Sequence, residues 1–334
     1  MTLFKRLVSI TLLLTPSMAL AAVKEGDSVP NFPPGIFNDG GHYDMSDFAG
    51  KALVVVFLES NYPGNKASVA DWDKLVEQYK DKPVKFMAVM PHNTLPMVQK
   101  YVSETRLEMP VFVDNLNILE AMYGQNMTMG SSRAFRIVGG DGKVVGHEMN
   151  SDDIDKALAG VSWKFKDKGY DAKLSAIVNL LEWNQYQPAV KQLQPLARNK
   201  GTAPLAVSAN KLYAEVKAEG EKWKSDADAA AMSDPVQAYD LYTKISTIFA
   251  GDELAKSVAD PLKKLKTNKA VADELAARAM YMQLYNTLPR AKIMQREEAA
   301  AYCKSIVTKY PDTPTAKKAD DLATAIGLAT LTGN

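Results

Sequence analysis

Phe57-Leu58-Glu59-Ser60-Asn61-Tyr62-Pro63-Gly64-Asn65-Lys66 is the stretch that decides how this chain folds. It continues Ala52-Leu53-Val54-Val55-Val56, so an apolar run from 52 to 58 meets a turn containing Pro63 and Gly64. Seven successive apolar residues predict a strand covered on both faces, as in a mostly parallel sheet. Lys66 is read as opening the helix that follows. Strand, turn and helix in that order begin an α/β unit.

The same alternation extends outward from 29 to about 160. Further strands are predicted at Val84–Met90, Pro110–Val113, Ala134–Val138 and Lys143–His147, with amphipathic segments near 66–80, 94–105 and 116–123. Gly139-Gly140-Asp141-Gly142 joins the last two strands. Asp-Gly between strands signals a hairpin, and the absence of a following helix argues against a phosphate-binding loop.

Several of these segments carry a resemblance. Gly26-Asp27-Ser28-Val29-Pro30-Asn31-Phe32, then Met45-Ser46-Asp47-Phe48-Ala49-Gly50-Lys51 before the apolar strand, then Val111 to Asp114 and Tyr123-Gly124, occur in one order. Together they resemble the redoxin branch of the thioredoxin-like superfamily, which includes peroxiredoxins and exported thiol–disulfide oxidoreductases. Where such a protein carries Phe-Trp-Ala-Thr-Trp-Cys-Pro-Pro-Cys-Lys, this chain has Tyr62 and Asn65 in place of the two cysteines. The resemblance implies a redox fold whose chemistry is deleted. In the family the first cysteine sits at a helix N-terminus, where the macrodipole stabilises its thiolate. A tyrosine titrates near about 10 and forms no mixed disulfide, and asparagine supplies only an amide. The family's cis-proline position falls on Arg133, and Arg133-Ala134 resembles the arginine–alanine pair of peroxiredoxins. Asn61, Pro63, Gly64 and His92 complete the expected groove. Tyr62 reads either as an aromatic packed over that groove or as an anchor for a partner. Arg133 reads either as a surface arginine or as part of a small anion site.

The chain has 334 residues and one cysteine, Cys303. It therefore has no internal disulfide or dithiol pair, and it lacks a cysteine-rich metal site. His42, His92 and His147 are isolated, so neither a metal nor another cofactor is expected. Residues 1–21 read as a signal peptide: Lys5 and Arg6, a short apolar core from Leu7 to Thr15, then Ala19-Leu20-Ala21. Its cleavage lowers Lys+Arg from 40 to 38 against 39 acidic residues, leaving a net charge of −1. Such a charge gives no general attraction to nucleic acid, and no integral membrane segment is expected after cleavage.

From about 165 the strands stop and apolar residues recur at helical spacing. Ala189 to Leu212, Ala238 to Leu262 and Ala301 to Leu322 each read as helix, turn, helix. Tyr310-Pro311-Asp312-Thr313-Pro314 is the clearest turn, with Thr313 as the cap. The pattern loosely resembles tetratricopeptide repeats without a steady period, and a plain bundle fits as well. The expected organisation is a signal peptide (1–21), an α/β thioredoxin-like sandwich (22–160), a linker (161–170) and an all-α domain (171–334). The favoured function is an exported, periplasmic or secreted, non-catalytic module that binds a protein partner. One alternative is a thiol–disulfide oxidoreductase or peroxiredoxin-like protein working through a cysteine of a partner protein or through Cys303, which is read as buried or, alternatively, as an exposed reactive thiol. The other is a small-ligand binder in which Tyr62, Asn65, His92 and Arg133 converge.

Overall fold

A computed structural model of the chain describes residues 22–332 except 42, 129 and 200. The signal-peptide segment 1–21 and His42 lie outside the described residues. The N-terminal half runs β1 (Ala52–Leu58), α1 (Pro63–Tyr79), β2 (Val84–Pro91), α2 (Leu95–Thr105), β3 (Val111–Asp114), α3 (Ile118–Met122), β4 (Arg133–Val138), β5 (Val144–Gly146) and α4 (Ser151–Leu158). The sheet order is β3-β2-β1-β4-β5. β1, β2 and β3 are parallel, while β4 pairs antiparallel to β1 and β5 antiparallel to β4. The result is a thioredoxin-like sandwich with β1 at its centre.

Every residue of β1 is buried, as the unbroken apolar run predicts. Alternation of side chains along the strand divides it between two cores. Ala52, Val54, Val56 and Leu58 pack with Val69, Trp72 and Tyr101 on one face. Leu53, Val55 and Phe57 pack with Phe37, Phe48 and Tyr123 on the other. Full burial of each large side chain contributes roughly 1.5–3 kcal/mol, which makes β1 the mechanical centre of the domain. The β4–β5 connection is the expected hairpin, with Gly142 at φ +76°, a conformation that costs glycine little.

One boundary differs from the sequence reading. α1 opens at Pro63, not Lys66, with Tyr62 as its N-cap residue. Proline at the first helical position loses no hydrogen bond, and its fixed φ already suits the helix. The turn therefore belongs to the helix, and Asn65 lies in its first turn.

The second half is helical: α5 (Ser175–Glu182), α6 (Tyr186–Ala197), α7 (Pro204–Ala230), α8 (Pro235–Ile248), α9 (Glu253–Ser257), α10 (Ala259–Leu265), α11 (Lys269–Thr287), α12 (Arg296–Lys309) and α13 (Pro314–Thr332). Successive helices pack on one another from α5 to α8 and again from α11 to α13. Two of the three expected helix–turn–helix units are α6–α7 and α12–α13. The second unit departs from expectation because its return helix is split into α9 and α10 at Val258. Thr313 caps α13 as expected, its Oγ1 accepting from Ala316 N at 3.1 Å. Among the described residues no helix is long and apolar enough to cross a membrane.

The two halves are bolted together by buried polar groups. Lys51, just before β1, pairs with Glu182 of α5 at 2.9 Å, both side chains almost fully buried. Glu182 also accepts from the backbone N–H groups of Lys164, Phe165 and Lys166, so the segment read as a linker wraps its carboxylate. Burial opposes ionisation there, but Lys164 N, Phe165 N, Lys51 and Lys166 N outweigh it and hold the pKa below the usual glutamate range. Farther along, Arg296 of α12 is only 2 % exposed and donates twice to Leu116 O and once to Ala329 O. Asn115 Nδ2 reaches back to the carbonyls of Leu288, Pro289 and Ala291.

Candidate functional site

The loops at the carboxyl ends of β1, β2 and β3 form one edge, where open α/β sheets usually place their sites. The β1–α1 loop supplies Glu59 to Tyr62. Tyr62 is 36 % exposed and its side chain caps no helical N–H. Its ring lies against Gly64, where an added Cβ would sit 2.5 Å from Cε1. Gly64 is thus the seat of the aromatic ring, and a larger residue would push Tyr62 off.

Asn65 behaves quite differently from its neighbour. It is 0 % exposed, and its Nδ2 donates to Glu59 O at 2.9 Å and to Ser132 O at 2.8 Å. Glu59 N also donates to Ser132 O at 2.8 Å, which extends the β1–β4 pairing by one step. Asn65 is therefore an internal clamp between the start of α1 and the loop before β4. It consumes acceptor capacity of the carbonyl preceding Arg133. Asn65 Oδ1 is buried with no hydrogen-bond partner among the described residues.

Arg133 starts β4 with an exposed side chain, and its Nη1 donates to Ser68 Oγ at 3.0 Å. Ser68 Oγ in turn donates to Gly64 O at 3.0 Å, so Arg133 is tied to the outside of α1. Pro63 opens α1, and Asn61 N in the preceding loop donates to Glu59 Oε1 at 3.1 Å.

His92 follows β2 with φ +60° and sits apart from that group. Its backbone N donates to Asn117 Oδ1 at 2.8 Å, and Asn117 Nδ2 lies 2.7 Å from Nδ1. Nε2 faces Glu120 Oε2 at 3.5 Å. Glu120 raises the His92 pKa above the ordinary histidine value, partly offset by burial. Tyr62, Asn65, His92 and Arg133 share no hydrogen bond with one another among the described residues. Asn65 and Arg133 are linked only through Ser132 and, by way of Ser68, α1.

Several residues that the sequence reading passed over hold this edge together. Ser60 Oγ donates to Asn93 Oδ1 at 2.7 Å, and Asn93 Nδ2 donates to Pro91 O at 2.6 Å. Asp114, buried at the end of β3, accepts from Ile118 N and Glu120 N at 2.8 Å each. Burial pushes its pKa up to about 6, against the pull of the amides of Glu120, Leu119 and Ile118. Glu120 accepts from Met127 N. Their shared signal was short polar side chains immediately after apolar strands, a pattern equally common in exposed turns. Among the described residues no group of three or more His, Cys, Asp or Glu side chains is arranged to hold a metal ion.

Cys303 lies in α12, 0 % exposed, among Ile306, Leu322 and Ile326. Burial pushes its thiol up to about 12, so it carries negligible thiolate at neutral pH. It sits in the helical core, on a different element from the β1–α1 loop.

Residues 24–161 match the Redoxin family. A comparison with curated proteins finds no match. Among solved structures, the thioredoxin domain of a thiol-disulfide oxidoreductase from Bacteroides vulgatus is 19% identical, covering 42% of this chain and 100% of that one, with a TM-score of 0.36. A putative thiol:disulfide interchange protein from Chlorobium tepidum is 20% identical, covering 42% and 100% with a TM-score of 0.36. A PrxQ mutant from Xylella fastidiosa is 16% identical, covering 41% and 94% with a TM-score of 0.35. Over residues 24–161 the chain is thus similar to the Redoxin family, with Tyr62 and Asn65 where the resemblance places the two cysteines.

Proposed function

We propose that this protein is an exported, non-catalytic redoxin-domain protein that recognises a protein partner. On this reading the edge around Tyr62 is a contact face, and the helical half is a tetratricopeptide-like scaffold. The observation that carries it is Asn65: a buried amide fastened to Glu59 O and Ser132 O occupies the position where a resolving thiol would have to move. The burial of Cys303 supports it too, because a thiol displaced far above neutral pH is a poor nucleophile. The leader-like segment 1–21 motivates the assignment to the periplasm or the extracellular space.

Insulin-reduction and peroxide-consumption assays on the purified protein test the reading. Neither should show turnover above the uncatalysed rate, and Cys303→Ser should change nothing. Turnover abolished by Cys303→Ser would return the protein to the thiol enzymes. Crosslinking in native cells, wild type against Tyr62→Ala, then reads the face directly. Loss of one discrete adduct in the variant supports recognition through Tyr62, and an unchanged pattern refutes it.

A further inference from the structure

A second feature lies away from that edge. Between the redoxin domain and helices α5, α6 and α8 is an open cleft of about 720 Å³, with Tyr43, Phe48 and Lys85 on one wall and Trp183, Tyr186 and Lys244 on the other. Pockets of this size between domains are where small-molecule ligands usually sit.

Two lysines line it, each beside aromatic rings. Lys85 Nζ lies 6.0 Å from the Tyr43 ring centroid and 5.9 Å from that of Trp183. Lys244 Nζ lies 3.8 Å over the Trp223 ring and 5.8 Å from the Tyr186 ring. Neither makes an ion pair or a hydrogen bond among the described residues. Their nearest acidic neighbours are engaged elsewhere. Asp39, which faces Lys85, accepts from Gly41 N and Tyr43 OH at 2.8 Å each. Glu219, which faces Lys244, pairs with Lys164 at 2.7 Å and accepts from Tyr186 OH at 2.6 Å. Asp47, also on the wall, accepts from Asp44 N at 2.8 Å within its helix cap. Burial holds both lysines below their ordinary pKa, partly offset by Asp39 at Lys85 and by Glu219 at Lys244, where Lys164 adds to the lowering.

The remaining lining narrows the ligand. Asn179, Gln185 and Gln187 present carboxamides with no side-chain hydrogen bond among the described residues. A carboxamide both donates and accepts, which matches hydroxyl groups. Trp183, half-buried at the cleft, offers an aromatic face on which the C–H face of a ring can lie. Carboxylates for the ammonium groups, hydroxyls for the amides and a ring for Trp183 describe one class of molecule.

We propose that this interdomain cleft binds an acidic saccharide, its carboxylates held by Lys85 and Lys244. The bound sugar touches both halves of the chain, so it also braces them against each other. This site is separate from the edge at Tyr62 and does not depend on the proposed function.

The test titrates digalacturonate, a diacidic disaccharide, into the full-length protein, followed by calorimetry and tryptophan fluorescence. Saturable binding is expected, weakening with added salt. Each charge-assisted contact supplies enough energy that Lys85→Met or Lys244→Met should weaken binding at least about tenfold. Lys85→Arg should retain it within about threefold, since the charge remains. Lys244 stands at the surface of α8, so its variant reads binding even where Lys85→Met disturbs the fold. A neutral disaccharide binding as tightly as digalacturonate would overturn the proposal. So would affinity unchanged in both methionine variants, no saturable binding at millimolar sugar, or tighter binding of an acidic dipeptide, which would give the cleft to peptides instead.

Discussion

Replacing Asn65 with aspartate changes one group at constant size: the Nδ2 amide facing Glu59 O and Ser132 O becomes an oxygen. Two carbonyl acceptors then confront an acceptor in a fully buried site. An ionised carboxylate there has no donor, so the folded variant is stable only with aspartate protonated. Protonating a carboxyl at pH 7, about 3 units above its ordinary pKa, costs about 4 kcal/mol. The protonated acid has one O–H where asparagine had two N–H groups, so one hydrogen bond worth about 1 kcal/mol is also lost. The expected penalty is therefore about 5 kcal/mol at pH 7. Its pH dependence has a fixed sign. The folded variant binds a proton that the unfolded chain has released, so its stability falls as pH rises above the unfolded carboxyl value. Between pH 5 and pH 7 the gap to wild type should widen by about 1.4 kcal/mol per pH unit. Urea unfolding of both proteins at pH 5, 6 and 7 measures this, because groups common to both cancel. A penalty below about 1 kcal/mol at pH 7, or one that ignores pH, would refute the clamp.

Three further outcomes follow from the same geometry. The double variant Tyr62→Cys/Asn65→Cys places thiols at the N-cap and first turn of α1, so the exposed one should alkylate with a pKa below the usual cysteine value of about 8.5; a value at or above that, from the pH dependence of iodoacetamide labelling, would show that the helix end no longer stabilises an anion. Glu182→Ala strips Lys51 and three backbone N–H groups of their shared acceptor and should destabilise the protein by about 3–5 kcal/mol in urea titrations. In the wild type this contribution is present above the unfolded glutamate pKa and lost as acid carries the pH down through the depressed folded value, so acid should narrow the gap between the two proteins. His92, whose pKa Glu120 raises, should titrate above about 6.5 by NMR. Its stabilising contribution is fully present below that unfolded value and fades as pH rises through the folded one, and Glu120→Gln should lower the observed pKa.

Much of this protein was legible in its sequence, for reasons visible in particular residues. The run 52–58 specified a two-faced central strand because no alternation was left for solvent. Asp141-Gly142 specified the hairpin and Thr313 the start of α13, since these depend on local backbone chemistry. The single cysteine excluded dithiol cycling without any coordinates. The start of α1 was misplaced because Pro63 serves equally as a turn residue and as the first residue of a helix. The split of the return helix at Val258 was missed because both pieces carry the same apolar spacing.

What only the tertiary structure decided was the fate of side chains whose partners are distant in sequence. Asn65 meets Ser132 from 67 residues away, and Lys51 meets Glu182 across the two halves. Arg296 reaches Leu116 across 180 positions. An asparagine, a lysine and an arginine read as surface residues in any local window, because burying them is unfavourable unless a specific partner is supplied. That partner comes from packing. Sequence thus determined that a single cysteine leaves no dithiol pair, and the fold determined that Asn65 is a clamp and that two lysines face an interdomain cleft.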